Sequence, residues 1–207
     1  MINLLDTTFI IPLRIEHQDR YDNAKRTLSY LNGHLNTNVF VYEVSDNGES
    51  KLNFLNDLSN LKLSIINDRF DGVFHRMKYL NVMLSQVQTR VVANYDIDVM
   101  FKPEIYEEAQ RLILSKEVSV LYPYGYGKCQ YKVKKGFEEA TAHDLSNIDP
   151  MYLEEAGSEF GHCVFFDTEV YRNEGGENEN FVSWGSEDKE RALRFSKYGY
   201  CLLYTSD

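Results

Sequence analysis

The chain has 207 residues, enough for one domain with a substantial core, and its 43% hydrophobic and 26% charged content belongs to a folded globular protein rather than a disordered one. Lys plus Arg number 22 against 32 Asp plus Glu, so the formal net charge of −10 argues against a nucleic-acid backbone or an anionic membrane as the main partner. Cys129, Cys163 and Cys201 are odd in number and lack C-x-x-C spacing, and no apolar run nears the roughly 20 residues of a membrane span, so reduced thiols and a cytoplasmic location, at most peripheral to the inner face of the membrane, are expected.

In chain order, "TTFIIPL" is β-branched and apolar over 7–13 and predicts a buried strand broken at Pro12. "DRYDNAKRTLSYLNGHL" spaces Ala24, Leu28 and Leu31 at helical intervals and stops at Asn32-Gly33. A second strand over about 38–44 closes in the turn chemistry of Asp46-Asn47-Gly48. After a weak helix in "LNFLNDL", a third strand is expected in "LKLSIIND", followed by a strong helix, "GVFHRMKYLNVMLSQV", with Val73, Met77, Leu80 and Leu84 on one face. "RVVANYDIDVMF" reads as the fourth strand, and Pro103 suits the first turn of a helix carrying Ile105, Ala109, Leu112 and Ile113. Beyond it come a strand running into an aromatic, Gly-rich loop over 122–132, an acidic and poorly periodic stretch over 136–160, a strand with a short helix, and a last helix and strand. Strands alternating with helices in this way predict an α/β fold with a mostly parallel central sheet flanked by helices.

Two motifs carry chemistry. Asp96 and Asp98 end an apolar run with one residue between them; on a continuing strand both carboxylates would share one side. Two such charges repel unless a hard cation such as Mn2+ or Mg2+ offsets them, and that cation would bridge to a diphosphate. The pattern is short, and alone it more often marks a solvated strand end or a helix-start acid near Pro103. The second motif is "GGENENFVSWGSEDKERALRF". Ser186 suits an N-cap, and Glu187 and Asp188 then fall in the first helical turn, where the dipole favours ionised carboxylates. A Trp beside an ionised Asp supplies an aromatic face for a sugar and a base for a hydroxyl proton, although a capped surface helix with a core Trp accounts for the same residues.

Taken in order, "FIIPLRIEHQDR", "FHRMKYLNVML", "YDIDVMF" and "NEGGENENFVSWGSEDKERALRFSKYG" resemble the GT-A-fold glycosyltransferases, above all the β-1,4-galactosyltransferase-like group and bacterial chondroitin-polymerase domains. The last block, similar to the signature G-G-F…W-G-G-E-D, is the most specific. The resemblance implies a single GT-A domain over 1–207, a Rossmann-like nucleotide-diphospho-sugar fold, and metal-dependent inverting transfer of a hexose from a UDP-sugar to a saccharide acceptor in polysaccharide biosynthesis. Galactose or N-acetylgalactosamine is favoured, with glucose or N-acetylglucosamine on the same scaffold next; a GT-A-like module that binds nucleotide or glycan without turnover is the other class.

Carried over residue by residue, the resemblance assigns Pro12, Arg14, Asp46, Phe74 and Arg76 to the donor, together with Asp96 and Asp98, of which Asp98 is the principal metal ligand. It makes Asp188 the general base and Glu187 a holder of the sugars. Trp184 and Gly185 face donor and acceptor, and Tyr124 and Tyr126, from the loop over 122–132, are expected to stack sugars or serve a lid, unless that loop is a simple surface loop. Ser186 departs from the signature's second Gly. In the galactosyltransferase group a His after the E-D helix completes the metal site, and here it would fall beyond Asp207. The expectation is thus either a longer protein or a metal held by Asp98, phosphates and water, with His162 as the candidate substitute.

Overall fold

The computed structural model describes residues 1–125, 130–136, 145, 148–156, 160–182, 185–200 and 202–204. The first half alternates β1 (Ile2–Leu13), α1 (Gln18–His34), β2 (Leu35–Ser45), β3 (Leu61–Arg69), α2 (Arg76–Gln86), β4 (Val91–Tyr95) and α3 (Pro103–Leu114). The second half contributes β5 (Val120–Tyr122), β6 (Gln130–Val133), β7 (Leu153–Ala156), β8 (Cys163–Asp167), α4 (Thr168–Asn173), α5 (Glu187–Lys197) and β9 (Leu202–Tyr204). Seven strands form one sheet in the order β3-β2-β1-β4-β8-β5-β9, while β6 and β7 make a separate antiparallel pair. β1, β2, β3 and β4 run parallel, and β8 is antiparallel to both of its neighbours, β4 and β5. The expected mixed α/β architecture with a largely parallel sheet is what the chain adopts.

Strand alternation divides the core between the two faces of this sheet. Phe9, Ile11 and Leu13 of β1, with Ala93 and Tyr95 of β4, pack against Ala24, Leu28 and Leu31 of α1 and Tyr106, Ala109 and Ile113 of α3. Ile10 and Val92 point the other way, into a second cluster with Met77, Leu80 and Met83 of α2, Tyr171 of α4 and Phe195 of α5. Phe9 is the hub of the first cluster, meeting Tyr95, Tyr106 and Phe165 edge-on at 5.3, 5.7 and 5.8 Å.

Several expectations are corrected. β1 does not break at Pro12 but runs to Leu13, with Pro12 in register with Tyr42. The ladder between β1 and β4 ends at Ile10, so by Pro12 the strand is paired with β2 alone, where proline is tolerated. Val73 does not share the core face of α2, because that helix starts at Arg76 and Val73 is exposed. In α3 Ala109, Leu112 and Ile113 are buried as expected, but the fourth buried residue is Tyr106, with Ile105 only half-buried. Tyr106 has a polar task as well: its hydroxyl lies 2.7 Å from that of Tyr95 and accepts from the Phe101 backbone N–H at 2.9 Å, and Tyr95 in turn donates to the Val99 carbonyl at 2.5 Å. This chain of bonds shapes the turn that follows β4.

Tyr106→Phe keeps the ring but strips two buried groups of their partner, so it is expected to cost about 1–3 kcal/mol, read as a lower urea midpoint at unchanged m-value. An unaltered midpoint would contradict the role given to this hydroxyl.

Candidate active site

In an open parallel sheet, ligands collect beyond the carboxyl ends of the strands where the strand order reverses. Here the reversal lies between β1 and β4, and Arg14 and Asp96 follow those two strands directly. Arg14 donates to Asp46 Oδ1 at 2.6 Å, beyond the end of β2, and to the Gly72 carbonyl at 2.6 Å, so it ties the loop after β2 to the approach to α2. Phe74 is half-buried beside Tyr79, their ring centroids 5.2 Å apart, and places a ring just ahead of α2.

Arg76, the first residue of α2, is the junction of the site. Its Nη2 donates to Asp96 Oδ1 at 2.7 Å and its Nη1 stands 3.9 Å from Asp188 Oδ1. Burial works against the charge of this guanidinium, but Asp96 and Asp188 more than offset it and hold its pKa above the ordinary value. One side chain therefore brings together the D-x-D segment and the start of α5.

The D-x-D geometry differs from the expected pair of rungs on one strand. β4 ends at Tyr95, the Asp96 N–H donates to the His162 carbonyl at 2.8 Å, and the Val99 N–H returns to the Asp96 carbonyl at 3.4 Å, so Asp98 sits in a turn. Strand alternation no longer relates the two side chains. Asp96 turns to Arg76, whereas Asp98 lies 3.8 Å from Arg20 of α1. The Asp98 side chain is 41% exposed, yet partial desolvation by the protein around it raises its pKa and the neighbouring Asp96 charge adds to this, against the pull of Arg20 and His162. His162, held at a positive φ of 69°, keeps its Nδ1 3.9 Å from Asp96 Oδ2. Among the described residues no group of three His, Cys, Asp or Glu side chains is placed to hold a metal ion.

At α5, Ser186 occupies the cap position but its hydroxyl makes no capping bond; its carbonyl instead accepts the Glu190 N–H at 2.8 Å. Glu187 is buried, and its Oε2 has no hydrogen-bond partner among the described residues. Asp188 accepts from Arg191 Nη2 one turn further on. Gly185 is exposed at the approach to the helix. Tyr124 is corrected: it is 5% exposed, its hydroxyl donates to the Gly161 carbonyl at 2.5 Å and its ring stacks on Phe101, so it presents no face to a sugar. Trp184 and Tyr126 lie outside the described residues.

Behind Asp188 lies a buried polar group that sequence reasoning does not single out. Glu177 Oε1 accepts from Asn94 at 2.7 Å and from the Tyr171 hydroxyl, and it stands 3.2 Å from Arg191 Nε. Gly176, at a φ of 64°, makes room for this arrangement: a Cβ there would come within 2.5 Å of Asn81 Oδ1, which accepts the Glu177 N–H. The signals that point to it are Asn94 within an apolar strand and Glu177 directly after Gly175-Gly176, where the signature G-G-F has Phe.

No family model matches the sequence, and no curated protein sequence matches it. Solved structures do. The catalytic domain of Drosophila β1,4-galactosyltransferase 7, solved with xylobiose, superposes with a TM-score of 0.58 at 12% identity, covering all of this chain and 66% of that one. GalNAc-T7 with UDP, GalNAc and Mn2+ matches at 0.63 and 12%, over 98% of this chain and 42% of that one. A Pyrobaculum calidifontis mannosyltransferase with GDP-Man and Mn2+ matches at 0.56 and 16%, over 98% and 55%. At such identities the likeness defines the fold, which is the GT-A fold of glycosyltransferases, and the chain spans less than two thirds of the length of each of these proteins.

Because the folded-state pKa of Asp98 is raised, its ionisation costs stability. The cost appears as pH climbs from the ordinary carboxylate range through the raised value, and is fully present above it. Asp98→Asn is expected to raise Tm at pH 7 by on the order of 1 °C, kept small by solvent screening, and to lose that advantage below the ordinary Asp pKa. Thermal melts across pH would contradict the raised carboxyl if the variant were no more stable than the parent at pH 7.

Proposed function

We propose that the chain is a metal-dependent inverting glycosyltransferase that moves a hexose, with galactose or N-acetylgalactosamine favoured, from a UDP-sugar to a saccharide acceptor. The observation that carries this reading is the convergence of Asp96 and Asp188 on Arg76 at the reversal point of a GT-A sheet. The glycosyltransferases of like fold that were solved with UDP or GDP-Man and with Mn2+ support the donor class and the choice of cation.

The residues present fit a hard divalent cation as a partial shell. Asp98 carries a raised pKa because partial desolvation and the charge of Asp96 both oppose its ionisation, and a cation offsets both. Asp98 would be the protein's main ligand with Asp96 behind it, the diphosphate and water completing the coordination. When bound, the cation supplies positive charge to the departing diphosphate. Arg14 and Arg76 stand ready to orient the nucleotide. Asp188 takes the proton of the acceptor hydroxyl as that oxygen bonds to the anomeric carbon and the bond to UDP breaks, which inverts the centre in one displacement. Glu187, buried next to it, holds sugar hydroxyls.

The second reading, a nucleotide- or glycan-binding module without turnover, is favoured by the divergence of the D-x-D pair, in which Asp96 turns to Arg76 and Asp98 to Arg20. Calorimetry with UDP, with and without Mn2+, is expected to show metal-dependent binding that Asp98→Ala weakens. Asp188→Asn should lower UDP release on a saccharide acceptor panel by about 10²–10⁴-fold and leave UDP affinity intact. Absence of UDP binding under both conditions removes the donor assignment, and UDP binding without release from the parent protein selects the binding module.

A further inference from the structure

The structure assigns to Arg191 a positioning role: it fixes the Asp188 carboxylate from below, and Glu177 fixes Arg191 in turn. This inference rests on the reading of Asp188 as the base. Arg191 is 1% exposed and is the largest fully buried side chain described. Taking a guanidinium out of water is expensive unless its partners are rigidly placed, and an ion pair that served stability alone would be as well replaced by apolar residues. The two ends of this guanidinium meet different carboxylates. Nη2 donates to Asp188 one helical turn back, on the shared face that i,i+3 spacing creates, while Nε stands 3.2 Å from Glu177 Oε1 in a charge contact whose N–H is not aimed at the oxygen.

Glu177 is anchored through its Oε1 and its backbone, while its buried Oε2 has no hydrogen-bond partner among the described residues. Asn94 at the end of β4 and Tyr171 of α4 donate to its Oε1, Asn81 of α2 bonds both its N–H and its carbonyl, and the Tyr171 ring stacks on Phe166 of β8 at 4.0 Å. Burial opposes the Arg191 charge, but Glu177 and then Asp188 overcome this and keep it firmly protonated. The position of Asp188 is thereby referred to the sheet itself rather than only to the first turn of α5. Arg76 reaches the same Asp188 oxygen from the donor side, so Arg191 is the support that remains when Arg76 turns to a diphosphate.

The test uses Arg191→Met, Glu177→Gln and their double variant in the full chain, with Tm, donor KM and kcat measured for each. Arg191→Met should lose stability because Glu177 is left buried without its counter-charge. In the double variant the amide introduced at position 177 can still accept from Asn94 and Tyr171, so it should regain much of the lost Tm, with a donor KM within about twofold of the parent. Its kcat should stay at least about tenfold down. Recovery of kcat along with Tm overturns the proposal, since Arg191 would then serve only to neutralise Glu177. Arg191→Lys covers the case in which the double variant does not fold: it keeps the charge but lacks the fork that spans both carboxylates, so kcat should fall at unchanged KM, and parental kcat overturns the role. If the parent protein transfers no sugar, the base reading fails separately, and the contact is then read from Tm alone. Losses for Asp188→Asn and Arg191→Met that are non-additive when the two are combined support it, and additive losses overturn it.

Discussion

The site depends on a single guanidinium shared between two elements. Arg76 opens α2, yet its side chain ties Asp96, beyond β4, to Asp188, in the first turn of α5. α5 arrives late in the chain, and the described strand that follows it is the short outer strand β9. Without a charge at position 76, carboxylates from these two elements would repel, so Arg76 acts as the clasp between them, beside the donor-side role proposed for it. The acidic partners of this clasp are half-exposed, which suits the exchange of one anion for another that the proposed donor role would require.

Charge around this clasp is unevenly matched. Arg76 and Arg191 face Asp96, Glu177 and Asp188, and Asp98 and Glu187 lie close by, with Arg20 and His162 near the former. The molecule holds more negative charge at one strand end than its own cations neutralise, and part of it is buried. Proteins seldom keep such an arrangement for stability; a site that receives cationic charge from its ligands is the natural setting for it.

What can be read from the sequence divides by the range of the interactions involved. The alternation of β-branched runs with helical stripes yields the order of strands and helices through α3, because periodicity is local. The last acidic segment is legible because charge in a first helical turn is local too. The extent of β1 is misjudged at Pro12, since whether a proline is tolerated depends on which neighbours still pair with it. Tyr124 reads as a loop aromatic, but its burial is decided by Phe101 and by the Gly161 carbonyl. The Asp96 and Asp98 pair is found for a reason that fails in detail: the strand ends at Tyr95, just before the pair, and a turn rather than a pleat sets the two side chains. Glu177, Asn94 and Arg191 go unnoticed because each is an ordinary polar residue until the fold brings all three together.

The antiparallel pairing of β8 with both β4 and β5 has an evolutionary consequence. The chain leaves the sheet after Tyr122, which pairs with Tyr204 of β9, and re-enters at Cys163, which lies opposite Tyr95 next to the D-x-D turn. Among the described residues between them, Tyr124, Gly161 and His162 bond back to the body of the fold, and the β6–β7 pair is the part that forms a sheet of its own. Because the entropy of closing a loop grows only slowly with its length, such an insert can be lengthened, shortened or exchanged at little expense to the sheet. Under the proposed function, the floor assigned to nucleotide and metal would stay constant under those changes, while the rim assigned to the acceptor would be free to diversify.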